Sequence, residues 1–313
     1  MSSLADLPFE QVLDSLFGPA PVSIPLLFRL SDMAPEEMDA FCRFWPQQDG
    51  ERRRVIIRHL TDLSEENYQV DFSPVFAFCL QDEWPDVRLA ALDGLDETEN
   101  PTYIPPIIAR MTDDEDEEVR SLAAATLGHF LLLAEWKQLP AQAVQPAVEA
   151  LLAQYQAAGT PAAVKRAVLE SLGSTTDDRI PALIRDAYQS GRERLQVSAI
   201  FAMGRSTDSQ WLSIIRQELT NPLVRMRLEA VQAAGGLGDE ALVPVLIDLL
   251  SDEELEIQLA AVAALGQIGG DLAYDYLTEL ADDPEVEELH EAIQEALEEM
   301  DWLGGNIDLT LLG

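Results

Sequence analysis

The side chains able to do chemistry are few and scattered. Three histidines occur, His59, His129 and His290, and only His290 has an acidic neighbour that makes a His-Glu dyad, Glu291. A metal centre or an activated nucleophile needs such groups in convergent sets, and this chain offers no such set. There is no Walker loop, nucleophile elbow or Cys-x-x-Cys spacing. Cys42 and Cys79 sit in the apolar stretches FCRFW and VFAFCL, the setting of buried free thiols rather than of a bridge or ligand pair. Six consecutive carboxylates, Asp113–Glu118, lack the glycine that folds a calcium loop. They lead straight into a helix, whose N-terminus favours negative charge, and are read as a solvated turn. The glycine-rich Gly235–Gly238 falls where a helix is expected to end, so it is read as a turn and not as a phosphate cradle. The expectation is a protein with no catalytic residues, no cofactor and no metal.

Charge narrows the class of partner. The 313 residues hold 57 Asp and Glu against 20 Lys and Arg, a formal charge of −37. After Arg227 there is no Lys or Arg at all, while 22 carboxylates follow. Nucleic-acid affinity comes from Lys and Arg displacing counterions, so DNA and RNA are excluded as partners, and an anionic membrane surface would repel the chain. Two readings of the acidity stay open. It is a platform that steers a basic protein partner from a distance, or it is a solubilised outer face of the kind a salt-rich cytoplasm selects. The one basic cluster is Arg52, Arg53, Arg54 and Arg58 on a helix over Glu51–Leu63. It would hold a phosphate or acidic peptide, or pair with carboxylates close by, such as Glu65, Glu66 or Asp86.

The elements that position these groups follow from periodicity. In Asp239–Gly270, Leu242, Val243, Leu246, Leu249 and Leu250 make one apolar stripe, and Ile257, Ala261, Leu265 and Ile268 make a second. An acidic break at Ser251–Glu254 parts the two helices, and Gly266–Gly270 is expected to end the second. The frame of that second helix recurs. Its anchors are Val87, Val119, Val164, Leu195, Met226, Ile257 and Leu289, with small or apolar residues four and eight positions later. Gly follows at 128, 173, 204, 235 and 266. The anchors are 32, 45, 31, 31, 31 and 32 residues apart, and Val55 is a weaker copy before Val87. A helix pair of this length cannot bury both stripes alone, so a fixed period means stacked pairs.

This frame resembles HEAT repeats, in particular the short HEAT-like repeats first grouped with phycobilisome bilin lyases. The resemblance rests on Asp86-Val87-Arg88 with Ala90-Ala91, Glu118-Val119-Arg120 with Ala123–Gly128, and Asp239–Gly270. It implies an all-α, right-handed α-solenoid of about seven or eight helix pairs, an armadillo-like array with the second helices lining its concave side. Arg88, Arg120, Lys165, Gln196, Arg227 and Gln258 follow the anchors directly and would form a stripe there. Either they meet a partner or, as in the family, the basic residue pairs with an acidic neighbour in the adjacent unit. One HEAT-repeat enzyme family, the deoxyhypusine hydroxylases, holds a di-iron centre on several His-Glu dyads, and a single dyad argues against that chemistry. HEAT-like DNA glycosylases use a basic groove, the opposite sign to this chain.

In order along the chain, residues 1–47 fall outside the frame and read as a divergent N-terminal cap with helices over Leu7–Phe17, Val22–Leu30 and Ala34–Trp45. Its aromatics Phe41, Phe44 and Trp45 are cap core. Residues 48–300 form the solenoid. Extra residues near 131–145, carrying Trp136, suggest a longer second helix or a small added one, and a candidate contact site. The last pair is read over Tyr274–Ala281 and Val286–Met300. The tail 301–313, ending GGNIDLTLLG, folds back over the last apolar edge or docks by strand addition. No signal-peptide pattern and no apolar run of membrane-spanning length are visible, so a reducing cytoplasm is expected. The whole reads as a non-enzymatic protein-interaction scaffold, with a chromophore lyase or chaperone, or a structural subunit of a larger complex, as the alternatives. The residues named for partner contact are Arg88, Arg120, Lys165, Arg227, Trp136, Arg52, Arg53 and Arg54.

Overall fold

The computed structural model describes residues 7–67, 69–281 and 283–303, and among these there are helices and turns but no strand. The chain forms two compact units that divide after Ser171.

The first unit opens with α1 (Phe9–Phe17), α2 (Ile24–Leu27) and α3 (Pro35–Phe44), followed by α4 (Gly50–Glu66) and α5 (Ser73–Cys79). Then come α6 (Pro85–Asp93), α7 (Ile104–Asp113), α8 (Glu117–Glu135), α9 (Ala141–Gln156) and α10 (Ala162–Leu172), at whose last turn the division falls. The second unit holds α11 (Ile180–Tyr188), α12 (Glu193–Arg205), α13 (Leu212–Glu218) and α14 (Val224–Leu237). It continues with α15 (Val243–Leu249), α16 (Leu255–Ile268), α17 (Asp271–Leu280) and α18 (His290–Leu303). Short first helices alternate with second helices. Second helices pack on one another, α4 on α6 on α8 in the first unit and α12 on α14 on α16 on α18 in the second. First helices also meet, α7 with α9 and α15 with α17.

The periodic frame lies on the buried seam. All seven anchors are buried, as are their partners four and eight residues on, except Leu297, which is half-buried. The first copy is in a different register from that expected. Val55 is exposed, and Ile56, Ile57 and Leu60 are buried instead. The cap of α4 is Asp49, whose carboxylate accepts from the backbone N–H of Glu51 and Arg52, so Arg52 stands at the anchor position and Arg53 at the position after it. A polar anchor left no apolar signal for the frame to catch.

The helix ends expected within Gly235–Gly238 and Gly266–Gly270 fall there, at Gly238 and Gly269, but the glycines that directly follow the frame have another role. Gly128, Gly204, Gly235 and Gly266 lie inside α8, α12, α14 and α16. Each faces a small residue of the next second helix. A Cβ on Gly204 would lie 2.6 Å from Ala233 Cα, and one on Gly173 2.8 Å from Ala202 Cα. Gly128 meets Ser171 and Gly266 meets Ala296 in the same way, while a Cβ on Gly235 would meet Gln267 Oε1 first and Ala264 Cα at 3.2 Å. Termination falls a few residues later, at Gly238 (φ 67°) after α14 and Gly269 (φ 70°) after α16, where left-handed backbone favours glycine.

The N-terminal helices form an aromatic core. Phe41 and Trp45 are buried, and Phe17 meets Phe44 and Trp45 edge-on at 5.5 and 5.6 Å. The extra residues near 131–145 lengthen α8, which runs to Glu135 and ends with Trp136 as its C-cap. The last second helix begins at His290, after a 3-10 segment over Pro284–Leu289 with a kink at Val286. The tail expected to cover the last edge lies, from residue 304 on, outside the described residues.

Replacing Gly204 with Ala is expected to lower stability by about 1–3 kcal/mol through overpacking against Ala233, despite alanine's higher helix propensity. Urea unfolding monitored by circular dichroism measures this. A variant as stable as wild type would show that the helices can part at no cost.

Candidate functional site

The residues named for partner contact lie on the second helices, except Trp136, which follows α8 as its C-cap, and the turns before those helices hold their partners. Two residues before five of the second-helix caps stands a side chain that folds the turn. Asp82 accepts from Trp84 N–H (2.9 Å), Asp114 from Asp116 N–H (3.0 Å), Asn221 from Leu223 N–H (2.8 Å) and Asp252 from Glu254 N–H (3.0 Å). Ser190 does the same for Arg192 N–H at 3.2 Å. These short polar side chains compete for backbone N–H groups that a helix start leaves unpaired.

After five of the anchors the next residue closes the connection from the helix side. Arg88 donates to Asp82 O at 2.8 Å, Arg227 to Asn221 O at 2.7 Å and Gln258 to Asp252 O at 2.5 Å. Gln196 donates to Tyr188 O at 2.8 Å and Arg120 to Met111 O at 3.1 Å. An arginine here also reaches the turn of the following pair. Arg53 binds Asp82 at 2.6 Å and Glu83. Arg88 binds Asp114 at 2.6 Å, and Arg110 holds the other oxygen at 3.1 Å. Arg227 binds Asp252 through both oxygens, at 2.7 and 3.0 Å. Asp82 also accepts from Trp45 Nε1–H at 2.6 Å, which ties the N-terminal aromatic core to the first rung.

Burial pushes the Asp114 carboxyl up, but the hydrogen bonds from Arg88 and Asp116 N–H, with the charges of Arg88 and Arg110, hold it below the usual carboxylate range. Asp252 is lowered in the same way, Arg227 outweighing burial. One pair before the arginine rung of the second unit, the link is made without a cation. There Glu218, 4 % exposed, accepts from Tyr188 O–H and from Asn221 Nδ2–H at 2.5 Å. Burial and this carboxylate push the Tyr188 phenol up to about 12.

The sequence-named residues therefore separate into groups. Arg53 and Arg88 are buried, and they and Arg227 are engaged as rungs. Arg52 holds the backbone oxygens of Leu16 and Ala20, tying α4 to the end of α1. Arg54 bridges Glu51 and Asp86 and lies 4.7 Å over the Trp84 ring. Of the carboxylates suggested for this cluster, Asp86 is used, while Glu65 and Glu66 form no ion pair with it; Asp82 and Glu83 were missed because the pairing is set by which turn stacks next. Arg120 and Lys165 are half-buried without a carboxylate, Lys165 resting 4.6 Å over the Tyr155 ring. Trp136 is 61 % exposed. Of the six carboxylates at 113–118, Asp114 is a rung and Asp116 caps α8.

Cys79 is buried and Cys42 half-buried, both as free thiols, and burial raises both pKa values. No group of three or more His, Cys, Asp or Glu suited to a metal ion occurs among the described residues, and no described helix is long and apolar enough to cross a membrane.

Paired helices stacked through a second-helix seam and pinned by turn-to-turn rungs define an α-solenoid. A family profile of HEAT repeats matches residues 47–128, 72–154 and 211–298, more than half of the chain, and the protein belongs to that family. No curated protein matches it in sequence. Among solved structures, yeast importin-β (Kap95p) is similar at 14 % identity with a TM-score of 0.56, over 93 % of this chain and 46 % of that one. Kap95 in its complex with Nup1 aligns at 15 % identity and a TM-score of 0.52, over 95 % and 46 % of the two chains. The chain thus spans under half the length of importin-β. The CpcE–CpcF phycocyanin lyase complex of Nostoc sp. PCC7120 aligns at 18 % identity and a TM-score of 0.49, over 73 % and 94 %. The importin likenesses establish the fold.

Asp114→Asn is expected to destabilise the protein by about 3–5 kcal/mol near pH 7, because it strips a buried arginine of its partner. A carboxyl whose pKa is lower folded than unfolded stabilises above the unfolded value and loses that effect as the pH falls through the folded one. The gap between wild type and variant should therefore narrow below about pH 4. Urea unfolding of both proteins at neutral and acid pH measures it; a gap independent of pH would contradict the rung.

Proposed function

We propose that this protein is a non-catalytic scaffold that binds a protein partner, and that its second unit takes a basic segment of that partner. The observation that carries this is the composition of the chain after Arg227. It holds 22 carboxylates and no Lys or Arg, and large apolar side chains stand exposed among them. On α17, Leu272 (56 % exposed) and Tyr276 share the surface with exposed Asp275 and Glu279. On α16, Leu255 is exposed between exposed Glu254 and Glu256.

A face that only kept the protein soluble would have no use for these apolar groups. A partner segment alternating Lys or Arg with apolar residues satisfies both. The carboxylates speed encounter and select sign, and the apolar contacts hold the complex. HEAT-repeat architecture suits such binding because repeated pairs present an extended surface. Affinity then comes from many modest contacts and requires no covalent step. DNA, RNA and anionic membranes carry the wrong charge for this face.

The test is affinity capture from native lysate with immobilised protein at low and high salt, paired with a variant carrying Glu254→Gln, Glu256→Gln, Asp275→Asn and Glu279→Gln. The expected result is a defined partner with a Lys- or Arg-rich segment, retained at about 0.05 M salt, released near 1 M where screening acts within about 3 Å, and captured poorly by the variant. Capture that ignores both salt and the variant, or no capture at either salt, would overturn the proposal.

A further inference from the structure

The rungs leave one place unfilled in the first unit. Arg53 reaches Asp82 and Arg88 reaches Asp114, each the turn residue of the following pair. Arg120 is the next in that series. Its Nε donates to Met111 O at 3.1 Å, and the turn that stands to it in series as Asp114 stands to Arg88 is the one after α9. In that turn the place of Asp82 and Asp114 is taken by Gly159, in left-handed backbone (φ 84°), and no atom lies within 4 Å of where its Cβ would be. The space that a rung carboxylate would enter is open.

Two more cations stand early in α10, the helix that follows that turn. Lys165 occupies the position of Arg120 on the neighbouring second helix, α10, and has only the Tyr155 ring as partner. Arg166, beside it, is half-buried, and like Arg120 and Lys165 it has no carboxylate partner among the described residues. The two helices are in close contact through Gly128 and Ser171, and Ser171 Oγ–H donates to Ala124 O at 2.8 Å. In a chain with 57 carboxylates to 20 Lys and Arg, three neighbouring cations left unpaired are unusual. For Arg120 the carboxylates nearest in sequence are Asp116, which is committed to the α8 cap, and Glu117 and Glu118, which are exposed on the first turn of α8. For Lys165 and Arg166 it is Glu170, which is itself engaged.

We propose that Arg120, Lys165 and Arg166 form a docking point for an acidic segment of a protein partner, whose Asp or Glu carboxylate fills the rung left open at Gly159. The fold itself sets the chemistry, since the same arginine position binds aspartate at Asp114 and, through both oxygens, at Asp252. The inference rests on the scaffold reading but concerns the other unit and the opposite charge. At physiological ionic strength the Debye length is about 8 Å, so remote carboxylates are screened while contact pairs persist.

The probe is a fluorescently labelled hexaglutamate peptide, with hexaglutamine as its neutral match, titrated by anisotropy at about 0.15 M salt. Hexaglutamate should bind and hexaglutamine should not. The variant R120Q/K165Q/R166Q should weaken binding about tenfold or more, the loss of more than one ion-pair contact. K137Q, which removes an exposed cation elsewhere in the unit, should change nothing. If the triple variant unfolds by circular dichroism, K165Q alone gives the same reading, since it gives up only a ring contact. Equal binding by wild type and the variants, or no binding by wild type, overturns the docking point. Self-association of wild type that the triple variant abolishes, seen by light scattering, also overturns it, because the occupant would be a second copy. None of these outcomes bears on the lysate capture, whose variant lies in the second unit, so the two readings can fail separately.

Discussion

Successive second helices approach so closely that their backbones nearly touch, and the rest of the fold is arranged around that approach. At Gly204 and Ala233 a Cβ in place of hydrogen would sit within 2.6 Å of a Cα, and the same small-on-small contact recurs at every glycine of the column. A larger side chain at any of these sites would push one pair off the next. The buried anchors, the Arg–Asp rungs and the turn-folding side chains all presuppose the pitch that the glycines allow. Close packing transmits such strain instead of absorbing it, so the least bulky residues fix the spacing of the largest elements.

The rungs work on the same scale. Each links the second helix of one pair to the turn of the next, and each also satisfies a turn carbonyl or N–H that would otherwise be left unpaired. Arg88 and Arg110 share the one carboxylate of Asp114, which fixes both to the turn. A buried pair of this kind adds little net stability over a well-packed apolar substitute. What it does is fix one way of stacking, since a slipped pair would bury a bare arginine. In the second unit Tyr188, Glu218 and Asn221 fill the same station with neutral donors, so the geometry is kept while the charge is not.

The architecture was legible in the sequence because burial repeats wherever a pair must cover its neighbour: Val87, Val119, Val164 and Ile257 are fully buried as the period requires. Other features were not. A glycine that ends a helix and one that lets two helices touch look alike in one sequence, and only the neighbour, Ala233 or Ala264, tells them apart. The copy at Val55 was misread because Arg52, a polar residue, holds the anchor station. The partner of Arg53 is Asp82 and not a residue of its own helix, a fact about stacking order that no local window contains. The column of cations after the anchors was visible from the start. Its division into engaged and open members depended on a residue some forty positions away, Gly159.

This division changes how the net charge is to be read. Summed over the sequence, acid exceeds base by 37, but the fold withdraws cations from the surface faster than the sum implies. Arg53 and Arg88 are buried, Arg227 is half-buried in its pair, and Arg52 is spent on backbone oxygens. Each paired arginine removes one carboxylate as well, so the excess is unchanged while the cations left to meet a partner become scarce. On such a surface a lone cation is screened by its surroundings and a pair of them is conspicuous. Arg120, Lys165 and Arg166 stand where the fold would have supplied an aspartate and supplied a glycine instead. That substitution, and not the overall charge, sets Arg120 apart from the engaged arginines of its column.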